Sequence, residues 1–408
     1  MHSNNRPLVL RWWFGPIPEE HTWIKNKSSK EYLYKFFFHP IKKRVAKYYL
    51  VLLRKLFGLK VIGITGSAGK TTTKEMIASI LRRIGKTTAS YANIDPVYNI
   101  PTTILSCSPL TRYLVLEMGV EYPGEMDFYL WLAKPDIGLI TNIYPTHTVF
   151  LKNTEGVARE KGKLVEVLGD GGYVILNREN RLLQDISKRT KAEVIWYGQG
   201  GTVRAESISY ERYASTKFTL VFRKNKLTVR LATLGKHFVN NALGAASIAY
   251  CLGISANQIK EGLEKFKPLE HRMATHTLKS GAILIDDSYN NNPEAAKEAL
   301  KTLKEVSGKR KMVVVFGDML ELGSLSLSAH EELGRTVSAM GVNQLIGVGE
   351  ASKDLVGEAK KNMGNNASWV EGSDEALGPL KRILGKDTIV LIKGSRSIGL
   401  DRLVAKLI

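Results

Sequence analysis

A phosphate-binding loop is the clearest chemical signal in this sequence. The run Val61-Ile-Gly-Ile-Thr65 is typical of a buried strand, and it leads through a glycine-containing turn into a helical pattern. Such a turn leaves backbone N–H groups accessible to a phosphate at a helix N-terminus. Lys70 adds a cation, and Thr71 adds a hydroxyl that suits Mg²⁺. The residues predicted to hold a nucleotide are Thr65, Gly66, Ser67, Ala68, Gly69, Lys70, Thr71 and Thr72.

Further polar residues follow later apolar runs, at the edge where open α/β sheets bind their ligands. Glu117 lies near the end of the run 113–118, and a carboxylate there suits Mg²⁺ beside a triphosphate. His147 follows the run 136–143, and Lys161 lies in the helix after it. A single histidine in a loop is more often structural than a ligand. The role of these residues therefore depends on what lies beside them.

The segment Asp286-Asp-Ser-Tyr-Asn-Asn-Asn-Pro293 concentrates two carboxylates, a hydroxyl, a phenol and three amides after another apolar run. A turn followed by a helix with Asn292 as its N-cap explains the end of this segment. It does not explain two aspartates and a tyrosine before the cap. We therefore predict a functional role for the segment.

Strands and helices that alternate along most of the chain must position these residues. From residue 58 onward the pattern predicts a mainly parallel sheet, and from 202 to 234 a polar/apolar alternation predicts an antiparallel excursion. A second strand–helix series begins at residue 282, after Lys267-Pro268 interrupts the apolar pattern. The predicted fold is α/β, with a P-loop central domain followed by a Rossmann-like C-terminal domain. The predicted divisions are a basic N-terminal segment (1–57), the central domain (58–267) and the C-terminal domain (268–408).

The composition is that of an ordinary globular protein. The 408 residues suffice for two or three domains, and 44% of them are hydrophobic. Cys107 and Cys251 lie far apart in apolar segments, which argues against a disulfide scaffold or a zinc site and favours the cytoplasm. We recognise no signal peptide and no membrane-spanning run. The formal charge of +20 calls for an anionic partner, which is a nucleic acid, a membrane surface or a phosphate-rich substrate.

Much of the positive charge lies near the N-terminus, interleaved with aromatic residues. Pro40 suits the first turn of a helix that runs to about Phe57. An apolar stripe recurs at helical spacing, with the basic residues largely elsewhere on the helix. Two interpretations remain open: the stripe packs on the domain that follows, or residues 30–57 contact an anionic membrane at its inner face. The stripe is formed by Ile41, Val45, Tyr48, Leu52 and Leu56.

Taken in order, these motifs resemble those of the Mur ligase family, the ATP-dependent amide-bond-forming enzymes of peptidoglycan precursor synthesis. The resemblance covers about residues 60 to 408, and it is strongest to members that add D-alanyl-D-alanine to a UDP-muramoyl tripeptide. The matching residues are Thr65–Thr71, Lys74-Glu75-Met76, Glu117-Met-Gly119, Thr141-Asn-Ile143, His147, Ala158-Arg-Glu-Lys-Gly162, Gly235-Lys-His237, Asn241-Ala242, Arg272, Asp286–Asn290, Asn292-Pro293, Gly317-Asp-Met319, Glu321-Leu-Gly323, His330 and Lys393-Gly-Ser-Arg396.

The resemblance implies ATP, Mg²⁺ and an acyl-phosphate mechanism. It implies an anionic muramoyl-peptide and D-alanyl-D-alanine as partners, bound by a monomer without nucleic acid. The implied catalytic residues are Lys70, His147 and Lys161. The implied metal-binding residues are Thr71, Glu117, His147 and Lys161, the last carrying a carbamate. The nucleotide-binding residues implied beyond the loop are Asn241, Arg272, Asp287, Tyr289 and Asn290.

Members of this type carry an N-terminal domain that holds the UDP portion of the substrate. Residues 1–57 contain no strand and helix series of that kind, so we expect this domain to be absent. The identity of the acceptor substrate is then not determined by the resemblance. One alternative is a related ligase that acts on another amino acid or on a lipid-linked acceptor. A nucleic-acid-dependent ATPase is the rival suggested by the charge. A non-catalytic scaffold is the third, and the intact Lys70, Thr71 and Glu117 argue against it.

Overall fold

The computed structural model describes residues 13–18, 33–91, 94–211 and 213–408. The chain forms two compact units. The first unit runs to Glu206 and also includes 219–228 and 240–266, and the second contains 207–218, 229–239 and 267–408. Across the helices that the structure describes, none combines the length and the apolar character needed to cross a membrane.

The larger sheet has nine strands. Its strands are β1 (Lys60–Thr65), β2 (Thr87–Ala89), β3 (Tyr113–Glu117), β4 (Ile137–Ile140), β5 (Tyr173–Asn177), β6 (Glu193–Tyr197), β7 (Val203–Glu211), β8 (Ser215–Phe222) and β9 (Asn225–Leu231). Their order is β2-β3-β1-β4-β5-β6-β7-β8-β9, and β1 to β6 pair in parallel. The short turns that join β7, β8 and β9 require these neighbours to run antiparallel. The sheet thus contains both the parallel part and the antiparallel excursion that the sequence predicts.

Helices connect and follow these strands. They are α1 (His39–Phe57), α2 (Lys70–Leu81), α3 (Pro96–Leu105), α4 (Glu125–Leu132), α5 (Thr148–Leu151), α6 (Thr154–Glu166), α7 (Arg181–Ile186), α8 (Lys236–Cys251) and α9 (Ala256–Glu264). Side-chain caps set several of their first turns, since Asn153 accepts the N–H of Gly156, and Ser255 and Gln258 form a capping box. The helices bury the Val-, Ile- and Leu-rich strands in one core.

Helix α1 forms where the sequence predicts it, but it packs through a different face. It ends at Gly58, whose left-handed conformation lets its N–H reach the Arg54 carbonyl. The side that faces the first unit is made of His39, Pro40, Lys43, Ala46, Leu50 and Leu53. The predicted stripe of Ile41, Val45, Tyr48, Leu52 and Leu56 is exposed. The interpretation that this stripe packs on the following domain is therefore wrong.

The reason is that α1 has two apolar faces, and the one with the small residue Ala46 allows close packing. Lys43 lies on the packed face, where its ammonium donates to the Phe14 carbonyl and lies 5.4 Å from the Phe128 ring centroid. Tyr49 donates its hydroxyl to the Cys107 carbonyl (2.9 Å), which fixes the helix further. Residues 30–32 of the predicted membrane segment lie outside the described part of the chain.

The second unit contains a six-stranded sheet of order β10-β11-β15-β12-β13-β14. Its strands are β10 (Ala274–Thr277), β11 (Ile283–Asp287), β12 (Lys311–Gly317), β13 (Gln344–Val348), β14 (Ala367–Val370) and β15 (Thr388–Lys393). Its helices are α10 (Pro293–Ser307), α11 (Ser326–Ala339), α12 (Ser352–Met363), α13 (Leu377–Ile383) and α14 (Leu400–Ala405). Only β10 is antiparallel to its neighbour in this sheet. The predicted cap is confirmed, because Asn292 accepts the N–H of Ala295 at the start of α10. The predicted fold class is confirmed as well.

Candidate active site

The phosphate-binding loop joins β1 to α2. Gly66 (φ 145°) and Gly69 (φ 79°) take conformations that residues with a side chain rarely adopt. A side chain at Gly66 would collide with Thr141, and one at Gly69 would collide with the Asn241 amide. The first N–H groups of α2 have no intrahelical acceptor, which is how a helix start binds an anion. The loop therefore has the backbone geometry of a phosphate site, and Asn241 lies against it.

Residues 141–146 hold this loop in place. Ser67 donates its N–H to the Asn142 carbonyl (3.0 Å) and its hydroxyl to the Tyr144 carbonyl (2.9 Å). Ala68 donates its N–H to the Asn142 side chain (2.8 Å), and Thr141 donates its hydroxyl to the Ala68 carbonyl (2.6 Å). The Thr141-Asn-Ile143 motif thus positions the loop. This role cannot be predicted from the sequence, because it depends on the pairing of β1 with β4.

The threonine side chains at the two ends of the loop are buried, whereas Lys70 lies over the loop. Thr65 is buried and donates its hydroxyl to the Met118 carbonyl (2.7 Å), and Thr72 is buried in the first turn of α2. Lys70 curls over the loop, and its ammonium donates to the Gly66 carbonyl (3.0 Å). A phosphate between the loop and Lys70 would take the place of this internal hydrogen bond.

Glu117 lies beside the loop because β3 runs parallel to β1, with Glu117 in register with Ile64. Thr71 donates its hydroxyl to the Glu117 carboxylate (3.0 Å). Lys74, fully buried one turn along α2, has its ammonium 3.0 Å from Glu75 and 3.9 Å from Glu117. Hydroxyl and carboxylate oxygens are ligands that Mg²⁺ prefers. The residue types and their spacing therefore fit a divalent cation next to the phosphate loop.

Lys161 is fully buried in α6, and its ammonium nitrogen has no hydrogen-bond partner among the described residues. Burial, together with the nearby charge of Lys70, lowers the pKa of Lys161 from 10.5 to about 7, and the charges of Glu125 and Glu160 oppose this change. Both carboxylates are engaged elsewhere. Glu160 accepts the N–H groups of Gly124 and Met126 (2.9 and 3.1 Å), and Glu125 accepts those of residues 121 and 122. Lys161 is therefore an amine that is partly neutral at pH 7.

His147 lies at the start of the short helix α5 with a positive φ of 54°. Its carbonyl accepts the N–H groups of Phe150 and Leu151 (both 3.0 Å). A ring nitrogen of His147 lies within 4.8 Å of a Glu121 carboxylate oxygen. A histidine beside a carboxylate is an arrangement that suits either proton transfer or metal binding. Glu121 is a neighbour that the sequence did not single out.

In the second unit, a cluster forms where β11 and β15 end. The strands are parallel with Asp287 opposite Lys393, and the two side chains form a buried ion pair at 2.7 Å. Lys393 also donates to the Asn290 carbonyl (2.6 Å). The guanidinium of Arg272 lies 4.3 Å from the Tyr289 ring centroid, and that of Arg396 lies 5.5 Å from it. The structure thus brings together all the predicted residues of this unit.

His271 stabilises this cluster through contacts with Asp286 and Tyr289. Its Nδ1 lies 2.7 Å from the buried Asp286 carboxylate, and its carbonyl accepts the N–H of Tyr289 (3.2 Å). Ser288 also donates its hydroxyl to Asp286 (2.6 Å). The first aspartate of the predicted segment is therefore structural, while Asp287 faces Lys393.

Comparison with known protein families agrees with this geometry. The Mur ligase middle domain matches residues 64–249, and the Mur ligase, glutamate ligase domain matches residues 271–396. The chain belongs to the Mur ligase family. The two matched segments include the phosphate loop, Glu117, His147, Lys161 and the second-unit cluster.

Curated relatives and solved structures place the chain within the Mur ligases. The chain is 34% identical over 353 residues to the UDP-N-acetylmuramoyl-tripeptide–D-alanyl-D-alanine ligase of Buchnera aphidicola subsp. Baizongia pistaciae, covering 85% of this chain and 75% of the relative. It is 32% identical over 369 residues to the enzyme of that name from Bacillus subtilis, covering 90% and 78%. MurF from Acinetobacter baumannii superposes with a TM-score of 0.82 at 28% identity, over 90% of this chain and 80% of that one. MurF from Thermotoga maritima in complex with ADP shares the fold, with a TM-score of 0.81 at 22% identity, over 95% of this chain and 87% of that one.

Proposed function

We propose that this Mur ligase uses ATP to join D-alanyl-D-alanine to the carboxylate of a muramoyl tripeptide. The observation that carries the proposal is the Thr71–Glu117 pair beside the phosphate loop, in a chain whose curated relatives are named for this reaction. A free carboxylate is a poor acyl donor, so it must be activated before an amine can displace its oxygen. ATP supplies the activating phosphoryl group.

The reaction runs in two steps. A carboxylate oxygen of the acceptor attacks the γ-phosphorus of ATP, the bond to the bridging oxygen breaks, and ADP leaves an acyl phosphate behind. The amine nitrogen then attacks the acyl carbon and loses a proton, while the carbon–oxygen bond to the phosphate breaks. Lys70 supports the first step because its charge reduces the repulsion between the carboxylate and the triphosphate.

We assign Thr71 and Glu117 as ligands of a Mg²⁺ ion, with His147 as a further candidate ligand. The support is the 3.0 Å spacing of the Thr71 and Glu117 oxygens at the edge of the phosphate loop. When bound, Mg²⁺ supplies positive charge to the phosphates. The neighbouring ammonium of Lys74 lies 3.9 Å from the Glu117 carboxylate and forms an ion pair with it.

We further assign Lys161 as a residue that takes up CO₂. Its neutral amine attacks the carbon of CO₂, a new nitrogen–carbon bond forms, and one proton leaves the nitrogen to give an anionic carbamate. Only a neutral amine is nucleophilic, and burial holds the pKa of Lys161 near 7. The nearby charge of Lys70 then attracts the carbamate that it would repel as an ammonium.

The second-unit cluster of Arg272, Asp287, Tyr289 and Asn290 is assigned to nucleotide binding. Two guanidiniums beside one aromatic ring provide positive charge and a flat surface, which suit phosphates and a base. We also propose that the protein acts in the cytoplasm as a monomer. In support, Cys107 and Cys251 are free thiols, which is typical of a reducing compartment.

Product formation tests the function directly. Purified protein is incubated with ATP, Mg²⁺, UDP-muramoyl tripeptide and D-alanyl-D-alanine, and the products are identified by mass spectrometry. The expected product carries one added dipeptide, with one ADP released per bond. Lys70→Met is expected to lower turnover by about 100-fold or more, because it removes charge that stabilises the transition state. Lys60→Met, at an exposed lysine of β1, is the matched control and keeps the wild-type rate.

Two outcomes contradict the proposal. ATP-dependent phosphate release without the dipeptide product would mean that another amine or acceptor is used, and a panel of both would identify it. Equal activity of the Lys70→Met and Lys60→Met proteins would mean that the loop does not handle the transferred phosphate.

A further inference from the structure

Helix α1 carries two apolar faces, and among the residues that the structure describes only one of them packs on the first unit. The outward stripe of Ile41, Val45, Tyr48, Leu52 and Leu56 is between 48% and 67% exposed. Phe37 and Phe38 extend it at the N-terminal end and are also exposed. From Ile41 to Leu56 the stripe follows the helix for about 22 Å, given its rise per residue. Soluble proteins seldom leave so many large apolar side chains together in water.

Positive charge flanks this stripe. Residues 33–57 contain Lys35, Lys42, Lys43, Arg44, Lys47, Arg54 and Lys55 and no acidic residue. At helical spacing, Arg44 and Lys55 fall on one side of the stripe and Lys42 on the other. Lys42 and Lys47 are held close to the first unit, Lys42 by Thr102 (2.8 Å) and Lys47 over the Trp131 ring (4.0 Å). At helical spacing the charge of Lys42 thus lies at the border of the stripe, whereas Lys47 lies on the side that packs on the first unit.

We propose that this face of α1 lies on an anionic lipid bilayer. An apolar stripe with basic borders and aromatic side chains suits the interface between acyl chains and acidic headgroups. A second copy of this chain does not suit it, because pairing two such faces would bring like charges together. The stripe needs no rearrangement to bind, since the opposite face with Ala46, Leu50 and Leu53 keeps the helix on its unit.

This inference concerns the location of the protein and does not rest on the ligase reaction. It gives the helix a role that its packing alone does not explain. A helix needed only to cover the first unit would have polar residues at positions 41, 45, 48, 52 and 56.

Vesicle flotation tests the proposal with the full chain. We expect the protein to float with vesicles of phosphatidylcholine containing about one third phosphatidylglycerol, and to float weakly or not at all with phosphatidylcholine alone. The double variant Tyr48→Glu/Leu52→Glu should lose about tenfold or more of the bound fraction, because it puts charges into the apolar stripe. Leu110→Glu/Leu327→Glu makes the same charge change at exposed leucines elsewhere and should lose no more than about twofold.

Four results overturn the proposal. The wild type does not float with anionic vesicles, or both double variants lose binding equally, which would indicate general electrostatic attraction. The third is a lower melting temperature of Tyr48→Glu/Leu52→Glu without vesicles, which would mean that the stripe is covered within the chain. The fourth is a wild-type dimer in light scattering that this variant abolishes, which would make a second copy the occupant. None of these readouts involves ligation, so the proposed reaction is tested separately.

Discussion

Lys161 of the first unit and Lys393 of the second are both buried lysines close to candidate substrate sites, but their surroundings are opposite. Lys393 forms an ion pair with Asp287 at 2.7 Å and donates to the Asn290 carbonyl. Lys161 has no hydrogen-bond partner among the described residues, and its nearest carboxylates bind backbone N–H groups instead. A buried amine without a partner costs stability, and such groups concentrate at functional sites. We infer that Lys393 stabilises the fold and that Lys161 takes part in the reaction.

The sharpest way to break this comparison is Lys161→Met. The substitution keeps the length of the side chain and removes the amine, so turnover should fall by about 100- to 1,000-fold. The free energy of unfolding should stay the same or rise, because an apolar side chain replaces an unpaired polar group. Turnover and urea denaturation of the same preparation measure both effects.

Lys163→Met is the matched control for this experiment. Lys163 lies on the same helix but is ion-paired with Asp127 and Glu160 at its partly exposed position (both 2.7 Å). It should retain turnover within about threefold, since a partly exposed ion pair contributes little. Normal turnover of the Lys161→Met protein would mean that Lys161 is not needed for the reaction. Recovery of a Lys161→Ala protein by short carboxylates would support the carbamate in particular.

Replacing Lys393 with Met should have the opposite effect on stability from Lys161→Met. Lys393→Met leaves the Asp287 carboxylate buried without its partner, which should lower the free energy of unfolding by about 3 kcal/mol. Urea denaturation measures the loss. Adding Asp287→Asn should restore most of the stability, because no unpaired charge then remains. If the single and double variants are equally unstable, the ion pair is not the source of the effect.

The two lysines also show which features of the site can be predicted from the sequence and which cannot. The alternation of strands and helices, the phosphate loop and the position of Glu117 at a strand end follow from apolar runs and from the rule that ligands bind at the carboxyl edge of parallel strands. The sequence identifies Lys161 as a candidate, but it does not show that its ammonium lacks a hydrogen-bond partner. That depends on Glu125, which accepts N–H groups three and four residues before it, and on Glu160, which accepts the N–H of the distant Gly124. Lys393 ends an apolar run, which was a usable signal, yet its pairing depends on the register of β11 with β15.

Helix α1 shows what the sequence can and cannot predict. Its bounds are predicted nearly to the residue, since Pro40 and Gly58 mark its two ends. The sequence leaves open which face packs, because apolar residues occupy two sides and periodicity cannot choose between them. The choice depends on distant contacts such as that of Lys43 with Phe14, which no local pattern reveals.

A third buried lysine, Lys74, lies between the carboxylates of Glu75 and Glu117. Changing either carboxylate should have a smaller effect than the lysine substitutions above. Glu117→Gln removes one charge at the phosphate loop, and the Mg²⁺-dependent affinity for ATP should fall by about tenfold. Glu75→Gln removes the other carboxylate that contacts Lys74, which lies outside the loop, and should leave the Mg²⁺ dependence unchanged. Calorimetric titration of ATP with and without Mg²⁺ distinguishes the two. Equal losses would mean that Lys74, and not a metal, is the partner that matters for Glu117.

The smallest expected effect is the dependence of stability on pH. Burial lowers the pKa of Lys161 from its ordinary 10.5 to about 7, so between these values the folded protein binds fewer protons than the unfolded chain. Stability therefore rises with pH across this window, and the penalty is complete below about pH 7. Relative to Lys161→Met, the wild type should gain about 1 kcal/mol between pH 8 and pH 9 in CO₂-free buffer. Urea denaturation of both proteins at the two pH values measures the gain, and a difference that does not change with pH would mean that Lys161 keeps its charge when the protein folds.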